Sequence, residues 1–463
     1  MTTRQHLHFI GIAGHAMRGV ALAARELGYE VTGSDASAQA PGSDLLDEQG
    51  FTWWREPAPE RLNGVAQVII SGGSKPDHPE IVWAQQQGVP VRSFAEFVGG
   101  LAAEQHRIVL SGTHGKTTTS SLVAWLLESA GRHPDFLIGI KPHNFDSSVR
   151  LAGSAVIVFE GDEYSSSQVD PQPKFNYYHP DVLVVTSLEM DHPDVFKDLA
   201  EIKQRFRTLI ASLPSTGRLI WWRDSGELES VVTQSPAPVE SYGLADADWT
   251  AEDVRFEPTG LRFGLCHQGN VLGQVTVGLY GEHNVLNALA ASAVALAEGL
   301  SFAELQQGMA SFQGASRRFE LVSQPGAAVT IVDDYAHHPT EVAATIAAAK
   351  AHFPGRVLAI FRPHTYSRTS TLLEEYRQAF SLADVAWITD IEGARESGQE
   401  QTVSGADIAN KAAGNVEFEP DRAQLVERVV AEASSGDLVL AMTVGGYDGL
   451  VRELNEKLNR EEI

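Results

Sequence analysis

The sequence predicts an α/β protein built as three domains, and three observations carry that expectation. The chain has 463 residues, room for about three domains at roughly 150 residues each. A short apolar strand that runs into a glycine loop and a helical pattern occurs at residue 7 and again at residue 107, and a third strand start follows at residue 328. Between the second and third starts, residues 249–280 alternate apolar and polar residues with glycine punctuation, as antiparallel strands do.

Residues 7–12 (LHFIGI) are the first apolar run. Gly11 and Gly14 make the turn, residues 16–27 carry helical spacing, and Gly28 leads into a second strand at 29–33. Such a βαβ unit opens a parallel sheet with helices on its faces. Residues 66–71 (AQVIIS) read as a buried strand, 79–87 as a helix and 89–93 as extended, which completes a Rossmann-like domain over 1–105. A new strand at 107–111 (RIVLS) enters the second glycine loop and its helix. Strands at 155–160, 182–187 and 218–222, a helix at 198–213, the antiparallel stretch and an Ala- and Leu-rich helix at 284–299 fill a central domain over 106–315. It should hold a parallel sheet plus a small antiparallel one. Strands at 328–333, 356–361, 385–390 and 437–442, with helices at 339–352 and 370–382, make a second Rossmann-like domain over 316–463. The pairs Trp53-Trp54 and Trp221-Trp222 are expected to pack or to line an interface.

Composition narrows the function classes. Hydrophobic residues make up 43% and charged residues 21% of the chain, the ordinary globular mix. The net charge of −25 repels phosphate backbones, so no nucleic-acid partner is expected. A small anion remains possible, because backbone amides can bind phosphate inside an acidic protein. The single cysteine, Cys266, excludes an intramolecular disulfide and a cysteine metal cluster. Residues 7–12 are too few for a signal sequence and no window approaches 18 apolar residues, so a cytoplasmic protein without a membrane partner is expected.

The sharpest local signal is Gly112-Thr113-His114-Gly115-Lys116-Thr117-Thr118, set between a strand and a helix. Glycines let successive N–H groups turn toward a phosphate, and the helix N-terminus adds partial positive charge. In this reading Lys116 reaches the β- and γ-phosphates of a nucleotide and Thr117 binds Mg²⁺. Two residues separate Gly112 from Gly115 where the full P-loop has four, so the loop is a variant. Magnesium needs further hard oxygen ligands. Glu160-Gly161-Asp162-Glu163 and Asp191-His192 each follow a strand, at the end where sheet ligands bind. The first loop, Gly11-Ile12-Ala13-Gly14-His15-Ala16, with Asp35 ending the second strand, also suggests a dinucleotide site and hence a dehydrogenase. Ala13 and Ala16 stand where that pattern needs glycine, which argues against it.

Together these motifs resemble the Mur ligase family, ATP-dependent enzymes that form the amide bonds of bacterial peptidoglycan peptides. The resemblance runs through GTHGKTTT at 112–119, EGDE at 160–163, DHPD at 191–194, GEHNVLNALAA at 281–291, RRFE at 317–320 and DDYAHHPTE at 333–341. The opening HFIGIAGHAM, GSD at 33–35 and RPHTYSRT at 362–369 are similar to the branch whose acceptor is UDP-N-acetylmuramate. The resemblance implies that Gly112, Thr113, His114, Gly115, Lys116, Thr117 and Thr118 bind ATP. Asn284 and Asn287 would contact adenine, Asp334 the ribose and Arg318 the transferring phosphate. Thr117, Glu160 and His192 would hold Mg²⁺. Gly11, Ile12, Ala13, Gly14, Ser34, Asp35, Ser71 and Gly72 would hold the UDP end. Tyr335, His337, His364 and Arg368 would bind the incoming amine, and His338 would join Lys116, Glu160, His192 and Arg318 as a catalytic group.

The implied chemistry is sound on its own terms. A carboxylate is a poor electrophile, and phosphorylation by ATP turns it into an acyl phosphate that a neutral amine can attack. A nearby histidine or carboxylate would take the amine's proton. A non-catalytic nucleotide-binding protein is the remaining alternative, and the joint presence of Lys116, Glu160, His192 and Arg318 argues against it. Two amines fit the branch. Residues 159–185, 41–50 and 443–450 are similar to ligases of the recycled tripeptide L-Ala-γ-D-Glu-meso-diaminopimelate. FRPHTYSRT and DIEGARESG (390–398) are similar to ligases of free L-alanine. The longer stretches tip the sequence reading toward the tripeptide, with L-alanine as the alternative. The protein is expected to be a monomer or homodimer.

Overall fold

The computed structural model describes residues 4–193, 195–396 and 402–459. Asp194 of the DHPD motif and residues 397–398 of DIEGARESG lie outside the described residues. The chain divides into two compact units, one formed by Met1–Leu188, Ala200–Tyr242 and Ala290–Leu305, the other by Glu189–Leu199, Gly243–Leu289 and Gln306–Ile463. The class is α/β with three sheets, as expected. Among the described residues no helix is long and apolar enough to cross a membrane.

The first unit opens with β1 (His6–Ile10), β2 (Glu30–Ser34), β3 (Thr52–Trp54), β4 (Gln67–Ile70) and β5 (Val91–Ser93). They form a parallel sheet in the order β3-β2-β1-β4-β5. Its order reverses at β1, so the loops after β1 and β4 leave the same edge side by side, the usual place for a ligand crevice. The unit continues with β6 (His106–Ser111), β7 (Asp135–Leu137), β8 (Val149–Arg150), β9 (Val156–Gly161), β10 (Val182–Val185), β11 (Arg218–Trp222) and β12 (Val239–Tyr242). These run in the order β12-β11-β10-β6-β9-β7-β8, parallel except at β8. Here the switch lies at β6. Ser111 pairs with Gly161 on one side and with Val185 on the other, so the loops after β6, β9 and β10 start level.

In the second unit β13 (Trp249–Glu257), β14 (Gly260–His267) and β15 (Asn270–Val277) form the expected antiparallel ribbon. β16 (Glu320–Leu321), β17 (Thr330–Asp334), β18 (Val357–Phe361), β19 (Val385–Ile388), β20 (Val416–Phe418) and β21 (Leu438–Met442) make a sheet in the order β16-β17-β21-β18-β19-β20. Its strands β18, β19 and β21 are buried throughout, as the centre of a parallel sheet between helices requires, while the edge strand β16 pairs antiparallel with β17. Val357, Ala359 and Phe361 of β18 point into one apolar cluster, with Val342, Ile346, Tyr376 and Phe380. Leu358 and Ile360 point into the other, with Leu425, Val429 and Leu454.

One helix departs from expectation. Residues 370–382 do not form a single helix: an α-helix ends at Thr371 (Tyr366–Thr371), and a 3₁₀ turn follows at Glu375–Gln378. Leu372, Tyr376, Ala379 and Phe380 still bury one apolar face. Spacing of that kind suits either helix type, whereas Thr369-Ser370-Thr371 are poor helix formers that let the α-helix end. The two- to four-residue strands β3, β7, β8, β12, β16 and β20 show no readable period, and side pairing rather than pattern makes them strands. Of the tryptophan pairs, Trp221 is buried and Trp54 stacks on His8, with ring centroids 4.9 Å apart.

Candidate active site

The loop after β6 and the helix Lys116–Ser129 carry the residues expected to bind a nucleotide phosphate, in the first unit. Gly112 has φ 135°, and a Cβ there would overlap the Thr186 hydroxyl and lie 2.7 Å from Ser187 N. The backbone of the β10 loop therefore needs glycine at this position. Thr113 N–H donates to Ser187 O at 3.1 Å and His114 N–H to Ser187 Oγ at 2.8 Å. Gly115 caps the helix with φ 79°, and Thr118 is buried in its first turn. Gly112→Ala is expected to shift this loop and raise the KM for ATP at least tenfold, equivalent to about 1.4 kcal/mol, in steady-state ADP release.

Three carboxylates of EGDE each take a different partner. Thr117 Oγ1 donates to Glu160 Oε1 at 2.7 Å, and the Gly139 N–H donates to Glu160 Oε2 at 2.6 Å. Lys174 Nζ donates to Asp162 at 2.8 Å and to Tyr164 OH at 3.1 Å. Lys116 Nζ donates to Glu163 Oε2 at 3.0 Å and to the Thr113 carbonyl at 3.3 Å. Burial, then the Asp162 charge, raises the Glu160 carboxyl. Burial would lower the Lys116 ammonium, but Glu163, Asp162 and Glu160 outweigh it and hold it charged. Asp162 is lowered because Lys174 and Lys116 outweigh its burial. The structure thus brings Lys116, Thr117 and Glu160 together, joins Asp162 and Glu163 of the motif offered for magnesium to Lys174 and Lys116, and adds Ser187. Asp162 and Glu163 stood in the quoted motif; their partners did not show there.

The other expected residues lie in the second unit. Asn284 and Asn287 sit in the first two turns of the helix Glu282–Ala297. Asn287 Nδ2 donates to Asn284 Oδ1 at 2.8 Å, and Asn284 Nδ2 to the Tyr280 carbonyl at 2.7 Å. Asp334 ends β17 and accepts from Ala336 N–H at 2.6 Å and Phe319 N–H at 2.7 Å. Burial raises it to about 6 despite Arg318. The Arg318 guanidinium lies 5.3 Å from the Tyr335 ring centre. His192 belongs to this unit and not to that of Thr117 and Glu160. Its N–H donates to Asp191 Oδ1 at 2.7 Å.

Around Asp191 gather most of the residues expected at the amine. Arg368 Nε donates to Asp191 Oδ1 at 2.7 Å, and Arg368 Nη1 donates to the His364 carbonyl at 2.6 Å. Burial would raise Asp191, but the charges of His192 and Arg368 hold it well below the usual carboxylate range. The His337 ring meets that of His364 edge-on at 6.2 Å. His337 Nδ1 bonds the Tyr335 carbonyl at 3.0 Å, which leaves Nε2 as its basic nitrogen. Burial pushes His337 down to about 3, so the ring is neutral at working pH.

His338 has a structural use that the sequence did not reveal. It is the N-cap of the helix Pro339–His352: its Nδ1 accepts from Thr340 N–H at 3.2 Å, and its Nε2 meets the Met190 carbonyl at 3.2 Å. With both ring nitrogens bonded to backbone, it does not offer a lone pair for proton transfer in this arrangement.

The loops at the first switch point converge as well. Gly11 N–H donates to the Ser34 carbonyl at 2.7 Å and Ala13 N–H to Asp35 Oδ2 at 3.1 Å. Gly11 has φ 80°, and a Cβ there would lie 2.5 Å from Ser71 Oγ. Ile12 is buried against Gly33, Gly14 N–H closes the turn onto Gly11 O at 3.2 Å, and Gly72 follows Ser71 at the same edge. Beneath them Glu80, fully buried, accepts from Ser34 Oγ at 2.5 Å, Trp54 Nε1 at 2.9 Å and Ala58 N–H at 3.0 Å, and meets His8 Nε2 at 3.3 Å.

Three family models match this chain in succession: the Mur ligase family catalytic domain over residues 6–106, the Mur ligase middle domain over 110–295, and the Mur ligase glutamate ligase domain over 317–445. A UDP-N-acetylmuramate–L-alanine ligase of Geotalea uraniireducens is 35% identical over 458 residues, covering 98% of this chain and 98% of the relative. The crystal structure of a UDP-N-acetylmuramate–alanine ligase from Thermotoga maritima is similar with a TM-score of 0.79 and 22% identity, over 98% of this chain and 99% of that one. At that identity the likeness is one of fold. A murein peptide ligase of Psychrobacter arcticus is similar with a TM-score of 0.71 and 27% identity, over 99% of this chain and 100% of that one.

Proposed function

The chain belongs to the Mur ligase family of ATP-dependent, ADP-forming amide ligases, and from that premise we propose that it joins L-alanine to the carboxylate of UDP-N-acetylmuramate. The observation that carries the choice of amine is the full-length relative of that name at 35% identity. It reverses the balance of the sequence reading, which rested on segments shared with tripeptide ligases. The tripeptide remains the second reading, favoured by the 27% identity to a murein peptide ligase over 99% of this chain.

In this proposal residues 1–105 bind the UDP end, 106–315 bind ATP and 316–463 bind the amine. Gly11, Ile12, Ala13, Gly14, Ser34, Asp35, Ser71 and Gly72 frame the crevice at the first switch point, the place in such a sheet where a ligand is expected to bind. Lys116 and Arg318 stabilise charge on the transferring phosphoryl group. Thr117 and Glu160 supply the hard oxygen donors that suit Mg²⁺, and His192 is the further ligand proposed from the family resemblance. When bound, the ion neutralises phosphate charge. Asn284, Asn287 and Asp334 hold the nucleoside. His337 keeps an unprotonated Nε2, which His338 does not, but burial holds it down to about 3, so it suits a hydrogen bond to the amine better than uptake of its proton.

The test is ADP release from ATP, Mg²⁺ and UDP-N-acetylmuramate, with L-alanine or the tripeptide as amine. Turnover with L-alanine is expected to exceed that with the tripeptide at least tenfold in kcat/KM, a gap of about 1.4 kcal/mol in transition-state binding. Preference for the tripeptide would overturn the choice of amine, and silence with both would overturn the acceptor.

A further inference from the structure

The segment that carries His192 and the loop after β18 share one buried ion pair. Asp191 Oδ1 receives two donors, the Arg368 Nε at 2.7 Å and the His192 N–H at 2.7 Å. Arg368 is only 3% exposed. Its Nη1 donates to the His364 carbonyl at 2.6 Å and lies 3.1 Å from His364 Nδ1. The loop is tied down beyond Arg368 as well: Glu396 Oε2 accepts from Ser367 N–H at 2.9 Å, and Glu396 Oε1 from Thr365 Oγ1 at 3.2 Å.

A guanidinium is a flat fork of five N–H groups. Here Nε and Nη1 are committed inside the protein, which fixes the plane of the fork. Nη2 forms no hydrogen bond among the described residues and is the edge left for a ligand carboxylate. An arginine held in one rotamer before the ligand arrives spares the ordering cost that a free side chain would impose on binding.

We propose that Asp191 is a positioning residue for the amine: it sets the plane of Arg368, and through it the place of His364, while the same carboxylate oxygen holds the backbone of His192. The inference rests on the reading of His364 and Arg368 as the subsite for the amine's carboxylate. Asp191 touches no substrate in this account. Its effect falls on capture of the amine and leaves ATP binding alone.

The test compares full-length Asp191→Asn, Asp191→Ala, Arg368→Ala and the Asp191→Ala/Arg368→Ala double variant in ADP release. L-alanine is varied, or the tripeptide if only that supports turnover. Asp191→Asn keeps the size and an acceptor but loses the charge, and it serves if Asp191→Ala does not fold. Asp191→Asn is expected to raise the KM for the amine about tenfold, with the KM for ATP within about twofold, a split that general loss of structure would not produce. The double variant is expected to be no worse than Arg368→Ala, because the two residues act as one unit. An unchanged amine KM in both Asp191 variants, with a raised one in Arg368→Ala, would overturn the positioning role and leave the subsite reading standing. An unchanged amine KM in Arg368→Ala would remove the subsite reading and the proposal with it. A shift in ATP or Mg²⁺ dependence instead would assign Asp191 to His192 and likewise overturn the proposal.

Discussion

Replacing Lys116 with methionine is expected to lower ADP release about 10³-fold, measured in a single turnover at saturating UDP-N-acetylmuramate. Methionine keeps the unbranched stem, one atom shorter, and removes the charge and donors. The loss follows from where the ammonium sits. Lys116 lies beside Glu163, and Glu163, Asp162 and Glu160 together outweigh the effect of burial and keep it protonated. A cation so held is available to phosphate oxygens throughout the working pH range. Phosphoryl transfer offers little covalent work to a protein, so charge placed where the phosphoryl group moves accounts for most of the acceleration. Turnover within about tenfold of the parent would remove Lys116 from the phosphate site.

The second large effect is on stability. Glu80→Ala is expected to destabilise the first sheet by about 3–5 kcal/mol, because it strands the buried donors of Ser34, Trp54 and Ala58 and leaves His8 without its carboxylate. Native-state hydrogen exchange of the β1, β2 and β4 amides reads this directly. Burial alone would raise Glu80, but bonds from His8, Ser34 and the Ala58 amide draw it down from 4.5 to about 2. A depressed carboxylate stabilises the folded state above its ordinary value and loses that contribution as the pH falls. About 3 kcal/mol is therefore fully present above pH 4.5 and lost as the pH drops toward about 2. The parent should lose first-sheet protection over that window, and Glu80→Ala should show no such step. Because Ser34 holds Gly11 through its carbonyl, the same variant is expected to raise the KM for the UDP substrate. Equal protection in parent and variant would show that the buried network does not hold the sheet.

The sequence by itself determined the strand–loop–helix starts, the class of the fold and the places where chemistry-bearing residues leave the sheets. These are local matters. A β-branched run, a glycine turn and a helical period are each written in a dozen residues, and a parallel sheet puts the ends of its strands at one edge whatever the rest of the chain does. Lys116, Thr117 and Glu160 were legible in that way, two at a helix start and one at a strand end.

Only the tertiary structure decided which charge meets which. EGDE offers three carboxylates in four residues, and nothing in the motif says that Glu160 faces Thr117, Asp162 faces Lys174 and Glu163 faces Lys116. The same holds for two adjacent histidines. His337 and His338 read alike in sequence, yet one keeps an unprotonated Nε2 and the other is consumed in capping a helix. Arg368 reads as a residue for the amine, and nothing in its motif shows that it is buried against Asp191, 177 residues away in the chain. Pairing of this kind depends on which loops a sheet brings level, a property of strand order and register that no local window contains.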